Sequence, residues 1–485
     1  MILAIEAFSY TPHLETAAEI CLRKIHENGK VAFCFLDVPN PDDIPYPEPT
    51  GWLAESRSLK VRQLEAILRK KGVLVINSPT ISSDTQREAR EIAQTSIAAM
   101  TDLQQLAFFE YDGVNLGLGA LSSLISRSGE PYPPKEELAE VAALYLESAI
   151  ITYQLAKNII SHHKPKVICT FNGRFACSRS IVEVARQNNI SIWFHERGAQ
   201  PNKYYLSDLS PHDLRNRKPE VIKLWNEANN DKYADAAGFF ERRRQGDGIG
   251  WLSFTEQQER GMLPEKSQKK TIVYYSSSDD EYAAVERLVS HGLFSSQRNA
   301  IKWLIEKIQS MDDTELLIRV HPHMKSKGRH DRSWWENLSG KNIKVIPAAS
   351  EVDSYELALS ANLVLVFGST MGVEAAYLGK PVIALDDVFY GGLDCVYEPK
   401  SITELSNLIV TPTLPGKPKE HALPYGYYML HFGDDFQYFE PEGLFEGKLL
   451  GKRLTGKPWI RRLARKVVLP MRSLRSHFCH SNSAQ

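Results

Sequence analysis

The chain lacks the marks of several large protein classes. No apolar run reaches the roughly twenty residues that a membrane-spanning helix needs, so no span is expected. Met1 leads straight into a short apolar strand, with no basic segment or long apolar stretch of the kind that forms a secretory leader. The six cysteines (Cys21, Cys34, Cys169, Cys177, Cys395 and Cys479) form no CxxC pair and no Cys/His cluster at zinc spacing. They read as scattered reduced thiols, and the chemistry is expected to be cytoplasmic, with no metal. No Gly-Lys-Ser or Gly-Lys-Thr closes a glycine-rich loop and no GxGxxG is present, so an ATPase or a dehydrogenase of that type has no sequence support. A net charge of −1 gives no global reason to expect a nucleic-acid partner. Acidic residues are absent after Glu446, where Lys448, Lys452, Arg453, Lys457, Arg461, Arg462, Arg465, Lys466, Arg472 and Arg475 alternate with apolar residues.

What is there is an α/β chain. Its 485 residues exceed one ordinary core and suggest two domains. Apolar and charged fractions of 43% and 24% are those of a soluble globular protein. Residues 1–240 alternate strands and helices: Ile2 to Phe8, Lys30 to Val38, Val73 to Ile76, Lys166 to Phe171 and Ser191 to Phe194 read as strands. A helical insertion interrupts them, with helices expected over Ser82 to Ala107 and Lys135 to His162. The rhythm breaks from Pro201, and residues 241–270 read as a linker. It restarts over 271–445 with strands at Thr271 to Tyr275, Leu316 to Val320, Lys344 to Ile346 and Leu363 to Phe367. Residues 446–485 form the basic tail. Two Rossmann-like halves enclose a cleft, which is the default site.

The most informative segment is LVLVFGSTMGVEAAYLGKPVIALD, from Leu363 to Asp386. A buried parallel strand stops at Gly368-Ser369-Thr370, a helix begins near Met371 and carries Glu374, and Val382 to Leu385 is the next strand. Small residues at a strand's carboxyl end, followed by free helix N–H groups, suit a phosphate. Glu374 can accept from ribose hydroxyls, or it is simply a first-turn acid favoured by the helix dipole. His321-Pro322-His323 follows another strand. An imidazole there can donate to a phosphate oxygen and, when charged, stabilise a departing one; the plain alternative is a loop histidine without a role. Ser276 to Asp280, including Ser277, is a third polar strand end that can touch nucleotide or acceptor.

In the first half, Asn172-Gly173-Arg174 and His195-Glu196-Arg197-Gly198 are expected at strand ends facing the cleft. Glu196 can act as a general base toward a hydroxyl, with Asn172, Arg174 and Arg197 holding polar or acidic groups of the acceptor or sugar. A structural ion pair between Glu196 and a neighbouring arginine fits the same residues.

Arg319 to His323 (RVHPH) and Ser369 to Asp394 (STMGVEAAYLGKPVIALDDVFYGGLD) resemble the capsule polysaccharide biosynthesis family, which includes Kdo transferases. Phe171 to Arg174 and His195 to Gly198 resemble the same family's first half. The resemblance implies a GT-B fold, with an acceptor domain over 1–240 and a nucleotide-sugar donor domain over 271–445. It implies that His321, with Ser369 and Thr370, meets the donor phosphate and that Glu374 is the acid of the following helix. It further implies that the leaving phosphate is held by side chains and helix ends rather than a metal or cofactor; Asp279-Asp280 and Asp386-Asp387 are adjacent pairs, not DxD.

The reading that follows is a GT-B glycosyltransferase moving Kdo or a related acidic sugar from a nucleotide donor to a surface polysaccharide or lipid-linked acceptor. His321, His323, Gly368, Ser369, Thr370 and Glu374 would face the nucleotide, with Glu196 and His321 as the catalytic pair. The basic tail suits an anionic membrane surface at the inner face of the cytoplasmic membrane, and equally a solvated tail or a helix packed on the body. Two alternatives stay open: a UDP-sugar 2-epimerase-like enzyme, and a GT-B-like glycan-assembly protein without catalysis.

Overall fold

A computed structural model describes residues 1–27, 29–44, 52–249, 255, 257–281, 283–285 and 292–454. The basic tail expected over 446–485 lies, from residue 455 on, outside the described residues. The first part runs β1 (Ile2–Glu6), α1 (His13–His26), β2 (Val31–Phe35), α2 (Trp52–Lys70), β3 (Leu74–Ile76) and α3 (Ser83–Ala99). A 3-10 turn (Leu103–Phe108) and the hairpin β4 (Glu110–Tyr111) and β5 (Val114–Asn115) lead to α4 (Gly117–Ser128) and α5 (Lys135–His163). Then come β6 (Val167–Phe171), α6 (Ala176–Gln187), β7 (Ser191–Arg197), β8 (Lys203–Ser207), α7 (Leu214–Glu227) and α8 (Lys232–Arg244). The second part runs β9 (Lys270–Tyr275), α9 (Gln297–Gln309), β10 (Thr314–Arg319), α10 (Arg329–Glu336), β11 (Ile343–Ile346) and α11 (Ser354–Ser360). It continues with β12 (Leu363–Val366), α12 (Met371–Tyr377), β13 (Val382–Ala384), α13 (Ile402–Val410) and α14 (Leu423–His431). Three short strands end it: β14 (Asp434–Asp435), β15 (Phe439–Pro441) and β16 (Gly447–Leu449).

Two sheets organise these elements. The first has the order β14-β8-β7-β6-β1-β2-β3, and the second β11-β10-β9-β12-β13. The second is wholly parallel, and apolar clusters cover both its faces, which is why its strands read as near-continuous apolar runs. Register aligns the strand ends. Tyr275 lies level with Arg319 on one side and Val366 on the other, so the residues that follow all three strands share one rim. In the first sheet Phe171 pairs with His195, so Asn172 and Glu196 emerge side by side.

Four expectations need correction. The helix expected to Ala107 stops at Ala99, because the carboxylate of Asp102 accepts the N–H of Gln104 and starts a 3-10 turn. His195-Glu196-Arg197 is not a strand-end loop: β7 runs on through Arg197, held by antiparallel pairing of Arg197 with Tyr204 and Phe194 with Ser207. The linker assigned to 241–270 begins inside α8, where Phe239, Phe240 and Ala236 pack with Leu423 and Tyr425 of α14. Gly426 makes that crossing possible, since a Cβ there would lie 2.8 Å from the Ala236 carbonyl oxygen. Finally, the chain beyond α14 leaves the second domain before residue 445. Asp434 pairs with Tyr204 of the first sheet, and Glu19 of α1 accepts N–H bonds from Gln437, Tyr438 and Phe439 at 2.8–3.0 Å.

The insertion also reaches across. Glu130, just past α4, accepts the backbone N–H groups of His330 and Asp331 at 2.8 Å each, capping α10 of the other domain. Glu137 meets Arg329 at 2.6 Å beside it, and Arg298 stacks on Tyr132 at 4.1 Å.

Candidate functional site

The rim set by the second sheet opens onto a cavity of about 480 Å³ between the two parts. Ser277 and Asp279 after β9, Gly368 and Thr370 after β12, and Asp386 to Tyr390 after β13 form one wall. Tyr132 and Gln104 of the insertion, with His212 and Arg217, form the other. This is the position, outside the carboxyl ends of parallel strands, where open α/β sheets bind ligands.

The floor is rigid. Ser277 Oγ accepts the Gly368 N–H at 3.0 Å, while its own N–H goes to Gln297 Oε1 at 2.7 Å. Tyr390 donates its hydroxyl to the Ser369 carbonyl at 2.7 Å and sits against Gly372, where a Cβ would lie 2.1 Å from that hydroxyl. Asp279, held by the Gln297 amide, is pushed up to about 7 by burial and by the nearby Asp331.

A smaller cavity of about 60 Å³ adjoins it, sharing Thr370 and lined by His321, Ser276, Ser369, Glu374, Arg319 and Arg243 among others. The His321 N–H donates to Ser276 Oγ at 2.9 Å, and its Nδ1 accepts the His323 N–H at 3.1 Å. Burial, with help from His323 and Arg319, pulls the imidazole down to about 4. At neutral pH His321 is therefore uncharged with its proton on Nε2, a hydrogen-bond donor rather than the cation considered from the sequence.

The charge comes from two arginines to which no role was assigned from the sequence, Arg319 at the start of RVHPH and Arg243. Arg319 is buried with its guanidinium on the Pro347 carbonyl at 2.6 Å, the Ser350 carbonyl at 3.2 Å and Ser354 Oγ at 3.4 Å, none of them anionic. Arg243 approaches Glu374 Oε1 at 3.6 Å, and Tyr355 donates its hydroxyl to Glu374 Oε2. Two guanidinium groups against one carboxylate leave the cavity net positive, fit for a phosphate. Glu374, placed toward ribose from the sequence, is buried between Arg243 and Tyr355, so a ribose would have to share it with both.

On the first-domain side the predicted residues separate. Asn172 stands in the left-handed region at φ 56, and Gly173 follows at φ 85 with no room for a Cβ against Phe194. The Asn172 amide donates to Glu196 Oε2 at 2.6 Å and also faces His212 Nε2 at 3.3 Å. Glu196 Oε1 accepts the Arg197 N–H at 3.0 Å, with His13 Nδ1 at 3.8 Å. Arg174 lies over the Phe175 ring at 4.6 Å and borders a small pocket with His212 and Gly173. Arg197 stacks on Phe445 at 4.6 Å and donates to the Leu444 carbonyl at 2.8 Å, bordering a separate small pocket rather than the main cavity. His195 is a core residue whose Nε2 lies 2.6 Å from Glu6 Oε1, both side chains fully buried. His212 went unnoticed because it lies in a stretch without periodicity.

Among the described residues no group of three or more His, Cys, Asp or Glu is arranged to hold a metal ion, and no helix is long and apolar enough to cross a membrane.

Residues 256–401, the greater part of the second domain, match the model of a family described as capsule polysaccharide biosynthesis protein. No curated protein matches the chain. Among solved structures, the Thermosulfurimonas dismutans KpsC beta Kdo 2,4 transferase aligns at 14% identity over 60% of this chain and 84% of its own, with a TM-score of 0.38. The beta Kdo 2,7 transferase of the same protein aligns at 14% identity over 64% and 89%, with a TM-score of 0.34. A Methanocaldococcus jannaschii UDP-GlcNAc 2-epimerase aligns at 11% identity over 88% and 98%, with a TM-score of 0.26.

Proposed function

We propose that the protein is a glycosyltransferase that moves an acidic sugar of the Kdo type from a nucleotide donor to a surface polysaccharide or lipid-linked acceptor. The observation that carries this reading is the junction at Thr370 of a net-positive cavity with a larger cleft whose far wall belongs to the first domain. A phosphate in the small cavity would meet the Nε2–H of His321, the hydroxyls of Ser369 and Thr370, and the field of Arg319 and Arg243. These groups stabilise charge that grows as the sugar leaves, which is where catalytic stabilisation has its effect. Ser277 and Gly368 border the cleft in which the sugar then lies. The match of residues 256–401 to a capsule polysaccharide biosynthesis family supports a glycan substrate.

Glu196 is the candidate base, its partly exposed carboxylate fixed in place by Asn172 and the Arg197 N–H. The test begins with thermal shift of the full chain against CMP, UDP, GDP and CDP, because a ligand that binds only the folded state raises its melting temperature. Transfer is then assayed with a sugar conjugate of the nucleotide that responds. His321→Ala and Glu196→Gln are each expected to lose transfer about a hundredfold or more, on the scale of lost oxyanion or acid–base catalysis. Full transfer by both variants would sink the reading. A product formed from the donor with no acceptor present would instead identify an epimerase.

A further inference from the structure

Behind the first-domain wall of the cleft, which it meets at His212, runs a three-residue chain whose hydrogen bonds fix a proton. Asn172 is buried, strained into the left-handed region, and backed by a glycine that admits no side chain. Such strain persists only where surrounding contacts over-determine it. Its carboxamide oxygen takes the Arg174 N–H at 3.3 Å, which orients the amide so that its two hydrogens point at Glu196 Oε2 and His212 Nε2. An NH₂ group has no acceptor capacity, so His212 Nε2 must be the unprotonated nitrogen. Burial, with the charges of Arg174 and Arg217 nearby, holds the imidazole well below its ordinary pKa, so it is neutral. A neutral imidazole without a proton on Nε2 carries it on Nδ1. Among the described residues that nitrogen has no partner, and His212 borders both the main cavity and the pocket beneath Arg174.

We infer that His212 is a ligand-orienting residue of the cleft, whose Nδ1–H, fixed by Asn172, donates a hydrogen bond to a sugar oxygen of the bound molecule. Glu196 sits behind Asn172 and holds its amide, so the carboxylate and the imidazole are coupled through one carboxamide. His212 is a binding group here and not a base, because its lone pair is already directed at Asn172. The sugar in this statement rests on the nucleotide-sugar reading above, whereas the tautomer does not.

Two measurements on the full chain separate them. In protein labelled with ¹⁵N-histidine, with His212→Asn used for assignment, His212 is expected to show a protonated Nδ1 and an unprotonated Nε2 that do not titrate between about pH 5.5 and 8.5. Asn172→Ala should release that tautomer preference. An Nε2–H form, or titration near the ordinary histidine value, overturns the inference even if no nucleotide binds. Calorimetry then uses CMP and CMP-N-acetylneuraminate, or UDP and UDP-GlcNAc, as probes. His212→Phe is expected to weaken the nucleotide sugar about tenfold, the upper range for one neutral hydrogen bond, with the bare nucleotide unchanged and His212→Asn restoring most of the loss. Equal weakening of bare nucleotide and nucleotide sugar would mark His212 as merely structural. If wild type binds none of the four probes, the nucleotide-sugar reading fails while the spectra still decide the tautomer.

Discussion

Replacing Glu130 by alanine tests how much one carboxylate from the first domain stabilises the start of α10 in the second. Glu130 accepts two backbone N–H groups at the start of α10, His330 to Oε1 and Asp331 to Oε2, each at 2.8 Å. These are the donors that a helix leaves unpaired at its N-terminus, and here the cap comes from another domain. Losing an N-cap costs about 0.5–2 kcal/mol. Hydrogen bonds to a charged group contribute somewhat more than neutral ones, about 1.5–3 kcal/mol each. Glu130 is buried, and burial raises its pKa, so part of that gain is offset. A net local loss of about 2 kcal/mol follows, or roughly thirtyfold in the opening equilibrium of these amides.

Hydrogen exchange read by mass spectrometry over the peptide spanning residues 325–336 measures that opening directly. A global melting curve does not, because a two-domain chain need not unfold in one step. The expected result is about thirtyfold faster exchange at the start of α10, with the strands of both sheets unchanged. Glu130→Gln should give roughly half the effect in free energy, since a carboxamide accepts through one oxygen only. Gly328→Ala should reproduce the alanine variant, because its Cβ would come within 2.2 Å of the Glu130 carboxylate. Exchange within threefold of wild type in Glu130→Ala would refute the reasoning, since the carboxylate would then hold nothing.

Three further outcomes can be checked. Gly372→Ala drives a Cβ into the Tyr390 hydroxyl and frees the Ser369 carbonyl; calorimetry should show nucleotide affinity falling about tenfold, as for one lost buried contact, and an unaltered affinity would mean that Tyr390 does not set the turn. Asp279 has a folded pKa raised to about 7, so the folded state holds a proton that the unfolded state has released between about pH 4 and 7, and wild-type stability falls as pH rises through that window. Asp279→Asn removes this fall, by at most about 4 kcal/mol, so its melting-temperature gain over wild type should be larger at pH 8 than at pH 5; a pH-independent difference would contradict the placement of Asp279. Gly173→Ala meets both a φ of 85° and the Phe194 ring at 2.4 Å, and should cost about 2–4 kcal/mol in denaturant unfolding of the first domain, or fail to fold.

The residues legible in advance are those whose role is written in their immediate neighbours. Leu363 to Val366 is an apolar run too short for a helix, ended by Gly368, and β12 forms there. Because parallel strands align their ends, the residues just past each strand, Ser277, His321, Ser369 and Thr370, meet at one rim. Arg319 and Arg243 were hidden for opposite reasons. Arg319 ends a strand in which Leu316, Leu317 and Ile318 announce a core, and the carbonyls of Pro347 and Ser350 explain how a guanidinium is buried there. Arg243 lies in a run of three arginines inside the stretch read as a linker, and it reaches Glu374 from α8, which packs on α14 at Gly426.

The return of the chain to the first sheet was illegible for a different reason. β14 is two residues long, and its pairing with β8 spans more than two hundred positions of sequence, beyond the reach of any local pattern. One local clue did exist. Glu19 of α1 lies among buried residues and is itself fully buried, where an unpaired carboxylate would be costly. Beside Arg23 at 3.9 Å, its partners are the N–H groups of residues 437–439, far away in the sequence. Glu130 follows the same logic, with the N–H groups of His330 and Asp331 as its distant cover. At Glu19 and Glu130 alike, a buried carboxylate takes remote backbone donors and so joins segments that the sequence keeps far apart.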